Sequence, residues 1–589
     1  MQLVNALNFK NLRGDLFGGL TAAIVALPLA LAFGVSSGAG PITGLYGAIS
    51  VGFFAALFGG TPSQISGPTG PMTVVMTTVF TALIDQNPEN GLAMAFTVVM
   101  LGGIFQILFG VLRLGQYITL MPYTVISGFM SGIGVIIIIL QLGPLLGHDG
   151  GGKVVNALQS LPDFIADPNL AAAGLGILTL VIVFGMPRHL NRVIPAPLLA
   201  LVVCTLLSLL LPENSGLIKI GDIPTGWPKP QLPTFQLAQI KDMLGYGVML
   251  AMLGSIDSLL TSLVADNITR TEHNSDRELI GQGLGNLISG LVGGLPGAGA
   301  TMRTVVNVNA GGKTPLSGII HALVLLVILL GAGKLTANIP NAVLAGILIK
   351  VGIDIIDWSF LKRAHRVSRR GWAIMYGVLF LTVFVDLITA VAAGAFIANL
   401  FTIKRLSDLQ AKKVKAISLP DEDMSLSQTE KKLLQEAEGR ILLFSLGGPM
   451  SFGAAKAISQ QLTIVGNYDV LILDLDDVPL LGVTASLAIE NIVKEAAGKR
   501  REIFIAGASG PVKARLRRLD IFDYLPPSNR VPDRLQALQQ ATAMLKRQHA
   551  NMPQAAASDV DLNSHSIEAK NIDQARDSAE TSGGEPYDT

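Results

Sequence analysis

From Leu16 to about Phe401 the chain is a succession of apolar runs close to the length a bilayer demands, and two of those runs are broken. An α-helix rises 1.5 Å per residue, so a hydrocarbon core of about 30 Å calls for about 20 residues. Runs of that kind read at 16–35, 41–59, 93–112, 118–145, 170–186, 194–211, 244–265, 279–295, 316–334, 337–353, 371–386 and 388–403. Two shorter segments, near 71–85 and 301–310, bring the number to 14. Each opens on a stretch rich in Gly, Pro or Ala: "GPTGPMTVV" from Gly67 to Val75, and "GAGATMRTVV" from Gly297 to Val306. Paired interruptions in two halves of a membrane protein point to a transporter's binding site. A helix that starts at mid-membrane aims its unpaired N–H groups and partial positive charge into the gap. Two such ends facing each other form a site for a small anion.

Composition agrees with a lipid environment. Charged residues make up 14% of the 589 positions and hydrophobic ones 50%, with mean hydropathy +0.52; soluble domains carry about 25% charged residues. The net charge of +1 and the scattered basic residues give no ground for nucleic-acid binding. Cys204, inside "LLALVVCTLLSLLL", reads as a buried inert thiol. The start "MQLVNALNFKNLRGDLFGG" reads as carrying no cleavable signal peptide, so the first apolar run is kept as a span. Lys10, Arg13, Arg188, Arg192, Arg270, Arg277, the run "LKRAHRVSRR" (Leu361–Arg370), Lys404 and Arg405 all fall on one side if there are 14 spans. That side is expected to be cytoplasmic, with both termini inside. The Leu361–Arg370 run is then a solvated topogenic loop, or else a lipid-headgroup contact.

Past Ser407 the character changes. Residues 406–438 read as a polar linker after a membrane domain at 1–405. Between 439 and 548 the buried-strand patterns "ILLFSL", "VLILDL" and "EIFIAG" alternate with the helical patterns "ASLAIENIVKEAAG" and "PVKARLRRL", which predicts a small α/β domain. Residues 549–589 lack an apolar face and are expected to be disordered.

Asp257, within "MLAMLGSIDSLLTSLVAD", is the one carboxylate of an otherwise uncharged run that ends at Asp266. At mid-membrane a carboxylate costs about 2.5–3.5 kcal/mol on the lenient insertion scale, so a cation, a proton or a water-filled cavity must compensate it. Thr261 lies four residues on, on the same helical face. With carbonyls freed by a broken helix, the pair suits a hard monovalent cation such as sodium; a structural hydrogen-bonded acid and a titrating acid are the competing readings. Thr69 and Thr301 stand at the two helix starts, where they bind an oxyanion or serve only as N-caps. Arg303 either adds a permanent positive charge to the site or pairs structurally. His321, in "SGIIHALVLLVILL", is expected to be satisfied by a neighbour, with a proton relay as the lesser reading. No metal-ligand cluster, P-loop or serine–histidine arrangement is found, and nothing in the sequence argues for an enzyme or an organic cofactor.

With those residues in view, the chain resembles the sulfate permease family of anion transporters, related to the vertebrate anion exchangers that include prestin. The likeness runs from Asn11 to about Leu545 and rests on "PLALAFG" (Pro28–Gly34), "MPYTVISGFMSG" (Met121–Gly132), "RELIGQGLGNLISGLVGGLPGAGATMRT" and a C-terminal segment similar to the STAS module. Within the family it looks like the branch of sodium-dependent bicarbonate transporters found in cyanobacteria. Leu29 stands where other branches usually carry Gln, and the eighth-span acid is Asp257 followed by Thr261 rather than Glu. The resemblance implies an α-helical polytopic membrane protein of 14 spans in a 7+7 inverted repeat. A core bundle (spans 1–4 and 8–11) would move against a gate bundle, with a cytoplasmic α/β STAS domain following. It implies sodium at Asp257, Thr261 and the carbonyls of Gly299 and Ala300, and bicarbonate near Thr69, Gly70, Ala300 and Thr301. It also implies a homodimer to which the STAS domain contributes, in a bacterial inner membrane. Arg303 departs from the small residue expected in the bicarbonate branch. In the STAS loop "DDVPLLGVTAS", Gly482 occupies the place of an Asp and Thr484 falls near a phosphorylated position; helix capping is the plainer role for Thr484.

The expected function is therefore sodium-coupled uptake of bicarbonate by alternating access. The alternatives are a proton-coupled or uncoupled sulfate or dicarboxylate transporter with Arg303 as counter-charge, an anion channel, and a STAS-mediated membrane scaffold.

Overall fold

The computed structural model describes residues 5, 9–118, 121–149, 153–187, 190, 194–212, 215–221, 228, 230–331, 337–385, 387–419, 426–464 and 468–550. The chain divides into two compact units, Met1–Asn399 and Leu400–Thr589.

In the first unit every apolar segment expected from the sequence coincides with a helix. The two broken ones are Gly70–Gln86 and Thr301–Asn309. Among the described residues six helices are, by length and composition, long enough to cross a membrane: Phe9–Ser36, Pro41–Phe58, Gly91–Val111, Tyr123–Leu145, Ile240–Thr269 and Thr389–Ala411. The remaining expected segments form shorter helices, among them Ser275–Leu291, Pro315–Gly331 and Asn341–Ile355. One longer helix was not expected, beside the four-residue helices Gly115–Ile118, Trp358–Leu361 and Ala364–Val367. Val154–Ala166 is a helix bent by 111° from Leu170–Gly185. Its apolar residues follow one stripe rather than a continuous run, so a search for spanning length passes over it.

The packing repeats between the two halves. In the first half Pro41–Phe58 packs on Pro315–Gly331, and in the second Ser275–Leu291 packs on Gly91–Val111. Likewise Leu12–Ser36 meets Pro315–Gly331 as Ile240–Thr269 meets Gly91–Val111. Exchanging the halves turns one pair into the other. Lipid gives no hydrophobic drive between helices, so close approach of small residues does the work. A Cβ on Gly103 would lie 2.5 Å from the Gly283 carbonyl oxygen, and one on Gly318 would lie 2.7 Å from the Ala56 Cβ. Each half thus lends a helix to the other's bundle, and the broken helices meet between them.

The second unit is a five-stranded sheet in the order Val414–Ile417, Ile441–Gly447, Val470–Asp477, Glu502–Ala506, Arg530–Val531. The first pairing is antiparallel and the rest are parallel. The central strands are buried on both faces, hence their unbroken apolar patterns. Phe452–Ile464, Val483–Gly498 and Gly510–Arg518 pack with one face, and Gln428–Glu436 and Arg534–Ala550 with the other. Two expectations are corrected. The stretch read as a linker supplies the edge strand Val414–Ile417, whose four residues are too few to register as a strand pattern. Thr484 does not cap its helix: the N-cap is Gly482, and Thr484 lies exposed in the first turn. Arg188, Arg192, residues 420–425 and the tail from 551 lie outside the described residues.

Candidate functional site

A chain that stops being helical inside a membrane must satisfy its backbone from neighbouring protein. After the Pro41–Phe58 helix the chain runs unwound to Thr69, and one buried carboxylate organises this segment. Glu278 Oε2 accepts from the backbone N–H groups of Gly60 (2.8 Å) and Thr61 (2.9 Å), and Oε1 accepts from Gln64 Nε2 and Gln282 Nε2 (both 2.8 Å). Gln282 Nε2 also donates to Ser66 Oγ at 2.6 Å. In the second half Asn286 grips Gly297, accepting its N–H at 2.7 Å and donating to its carbonyl at 3.0 Å. Glu278, Gln282 and Asn286 stand four residues apart on the Ser275–Leu291 helix, so one helical face serves both unwound segments.

The unwound segments then pair. Ser66 faces Gly299 and Gly67 faces Ala298 in a two-residue antiparallel bridge. The Ala300 N–H donates to the Ile65 carbonyl at 2.8 Å, and the Ile65 N–H donates to Thr304 Oγ1 at 3.0 Å. Glycine is required here. Gly67 has φ +153°, and a Cβ on Gly297 would come within 2.4 Å of the Gly67 carbonyl carbon. The bridge fixes two helix starts beside each other, at Gly70 and Thr301.

The predicted site residues gather around that bridge. Thr69 is the N-cap of the Gly70–Gln86 helix, in extended conformation, yet its hydroxyl makes no capping bond and Oγ1 has no hydrogen-bond partner. Ala300 is the N-cap of the second helix, and its carbonyl accepts the Thr304 N–H at 2.9 Å. From the Ile240–Thr269 helix, the Thr261 hydroxyl donates to the Gly299 carbonyl at 2.9 Å and lies 2.8 Å from Thr301 Oγ1. Ser258 Oγ accepts the Gly299 N–H at 3.0 Å. Asp257 is on the same face, with the Thr69 hydroxyl as the polar group nearest its carboxylate and Arg303 acting on it by charge; its buried Oδ2 and Thr69 Oγ1 stop short of full hydrogen-bond geometry. Asp257 and Thr69 are each 8% exposed, whereas Thr301 is open to solvent. Gly70 is walled by isoleucines: a Cβ there would meet Ile355 Cδ1 at 2.6 Å and Ile137 Cδ1 at 2.9 Å.

Arg303 is buried, and its Nη2 donates to the Pro68 carbonyl at 2.6 Å. The guanidinium therefore ties the second helix to the turn ahead of the first, and it acts on Asp257 through space rather than by capturing Oδ2. The Thr261 hydroxyl and the Gly299 carbonyl are in contact, and Asp257 stands one turn before Thr261 on the same helix. Among the described residues no group of three His, Cys, Asp or Glu side chains could hold a metal. A cation bound here would take one carboxylate plus hydroxyl and carbonyl oxygens, the all-oxygen donor set of hard cations.

His321 differs from expectation. It is fully buried and neither ring nitrogen has a hydrogen-bond partner, so no neighbour satisfies it. Cys204 is buried, accepting from Thr179 Oγ1 at 3.3 Å. The sequence reading passed over Glu278, Gln64, Gln282, Asn286, Ser258 and Ser262. The spacing of Glu278, Gln282 and Asn286 through an otherwise small and apolar stretch was the available signal.

Residues 12–378 match the model of the sulfate permease family, and residues 433–534 match that of the STAS domain. The chain is 56% identical over 547 residues to the bicarbonate transporter BicA of Picosynechococcus sp., covering 92% of this chain and 96% of that protein. The transmembrane domain of a cyanobacterial bicarbonate transporter BicA superposes with TM-score 0.63 at 58% identity, covering 66% of this chain and all of that one. The murine anion transporter Slc26a9, in its inward-facing state, superposes with TM-score 0.77 over 91% of this chain and 92% of its own, at 19% identity. That last likeness concerns the fold.

Proposed function

The chain belongs to the sulfate permease family of membrane transporters, and from that premise we propose that it carries bicarbonate inward together with sodium by alternating access. The observation that carries the reading is the convergence on one bridge of two helix starts and a buried acid. The N–H groups at Gly70 and Thr301, with the hydroxyls of Thr69 and Thr301, offer donors to an oxyanion. Asp257, Thr261 and the carbonyls of Gly299 and Ala300 offer oxygens to sodium a few ångströms away. Without the cation the site would combine Asp257 with an arriving anion, two like charges in a poorly hydrated place. Sodium removes that repulsion, so each ion favours the other, and the coupling is reciprocal. It also removes the cost of carrying a lone anion into a negative interior, about 2.3 kcal/mol per 100 mV.

The same reading places the protein in a bacterial inner membrane as a homodimer, with both termini and the STAS domain on the cytoplasmic side. Its support is the distribution of Lys and Arg in the loops and the family membership. Bonding of Arg303 to Pro68 favours this assignment over one in which arginine replaces sodium as counter-charge. The second reading, a proton-coupled or uncoupled sulfate or dicarboxylate transporter, keeps one support: a buried guanidinium within electrostatic reach of the site. Purified protein in vesicles decides between them. Labelled bicarbonate uptake driven by an inward sodium gradient supports the first reading; sulfate uptake indifferent to sodium supports the second.

A further inference from the structure

Two cavities lie beyond the helix starts and share a wall. One, of about 510 Å³, is lined by Thr77, Thr78, Thr81, Lys153, Tyr246 and Thr382 among others. The other, of about 340 Å³, is lined by Ser36, Ser37, Thr77, Thr81, Gln141 and Asp149 among others. Thr77 and Thr81 belong to both, and with Thr69 and Thr73 they stand at four-residue intervals along Gly70–Gln86. A hydroxyl stripe on one helical face therefore runs from the site to the cavities. The hydroxyls of Thr73, Thr77 and Thr81 donate to the carbonyls of Thr69, Thr73 and Thr77 at 2.8, 3.0 and 2.8 Å. Their protons are thus committed, so Thr77 and Thr81 offer the cavities they line chiefly acceptor lone pairs, which suits a wall that holds water. Such a wall does not itself attract an anion. Lys153 supplies what it lacks, as the one charged side chain among the described residues lining the larger cavity. Asp386, between two lining residues in sequence, lies outside the described residues.

We propose that these cavities form the outer vestibule of the transporter, and that Lys153 captures small hydrated oxyanions there and feeds them along the threonine stripe toward Thr69. This rests on the reading that the site between the helix starts takes an anion from outside. A charge in a cleft with low-dielectric walls raises the local concentration of its counter-ion and the rate of capture, and salt weakens the effect. Lys153 is a positioning residue and acts on the anion before it reaches the site.

Cysteine accessibility tests this without requiring transport. The native chain has a single cysteine, Cys204, and it is buried. Thr78→Cys and Thr81→Cys are exposed in intact cells to membrane-impermeant methanethiosulfonates, one anionic and one cationic. The proposal expects both positions to react from outside. It also expects the anionic-to-cationic rate ratio to fall by about tenfold when Lys153→Gln is added, with Lys153→Arg restoring it. In parallel, Lys153→Gln should raise the KM for bicarbonate at low ionic strength, leave kcat unchanged, and converge on the parent at high salt. Reaction only from the inside, no reaction at either position, or a rate ratio indifferent to Lys153 would overturn it; so would a ratio favouring the cationic reagent in the parent. A normal labelling pattern in a protein that moves no bicarbonate would instead strike the substrate assignment and leave the vestibule standing.

Discussion

The Thr261 hydroxyl donates to the Gly299 carbonyl at 2.9 Å, so the helix that carries Asp257 is bonded directly to the strand that launches the second broken helix. The bond ties two proposed cation ligands together, and the 2.8 Å approach of Thr261 Oγ1 to Thr301 Oγ1 joins them to the proposed anion site. Any shift of the Thr301–Asn309 helix on binding an anion is felt at the cation ligands, and the reverse.

Asp257→Asn removes the negative charge and keeps the shape. Sodium activation of uptake should disappear, measured as initial rate against external sodium. Unaltered sodium activation would take Asp257 out of the site.

Thr261→Val removes the bond to Gly299 and a neighbour of Thr301 Oγ1. Leaving a buried acceptor unpaired costs about 1–3 kcal/mol, so the sodium half-saturation concentration should rise about tenfold. Thr261→Ser should recover most of the loss. Equal behaviour of the Val and Ser variants would show that the hydroxyl does not matter.

Arg303→Gln retains some hydrogen bonding to the Pro68 carbonyl but loses the charge. The KM for the anion should rise several-fold while sodium dependence stays. Loss of sodium dependence, or sulfate transport made sodium-dependent by the change, would favour the arginine counter-charge reading.

Gly297→Ala places a Cβ 2.4 Å from the carbonyl carbon of Gly67. The bridge between the two strands must part, and overpacking of this kind costs about 1–3 kcal/mol. Transport should fall by more than tenfold in protein that still reaches the membrane. Full activity would mean that the bridge is not needed to align the helix starts.

In the second unit Arg534 bonds Glu430 at 2.7 Å and Asp474 at 3.1 Å. Burial pushes both acids up; for Glu430 the bonds from Arg534 and Ser427 outweigh it and hold the acid below its ordinary range, while Asp474 stays raised. The depressed Glu430 contributes stability above its unfolded pKa that is lost as pH falls through its folded value. The raised Asp474 works the other way and loses its contribution as pH rises through its folded value. Arg534→Leu leaves both acids buried without a counter-charge, so the loss should be about 3–5 kcal/mol at pH 7 and should shrink toward pH 4 as they protonate. Thermal unfolding of the second unit within the whole protein, followed across that range, checks it; a loss that grows toward pH 4 would contradict the account.

The apolar helices and both broken helices were legible because each depends on a local pattern: run length for the apolar helices, and Gly or Pro before Thr73 and Thr304 for the breaks. The Thr69, Thr261, Asp257 and Thr301 neighbourhood was legible because an acid or hydroxyl is conspicuous among apolar residues. Glu278 was not, since its partners Gly60, Thr61 and Gln64 are some 214 to 218 positions away and only the fold brings them close. The same holds for Arg303, whose sequence neighbours do not reveal that it binds Pro68. The edge strand Val414–Ile417 escaped because a four-residue alternation between lysines looks like any polar connection.

The central claim is that the anion and sodium bind side by side and each strengthens the other. It is tested most directly by measuring both affinities on purified protein: sodium with and without bicarbonate, and bicarbonate with and without sodium. The account predicts the same enhancement factor in both directions, and no enhancement in Asp257→Asn. Bicarbonate binding that is unchanged between zero and saturating sodium would contradict it.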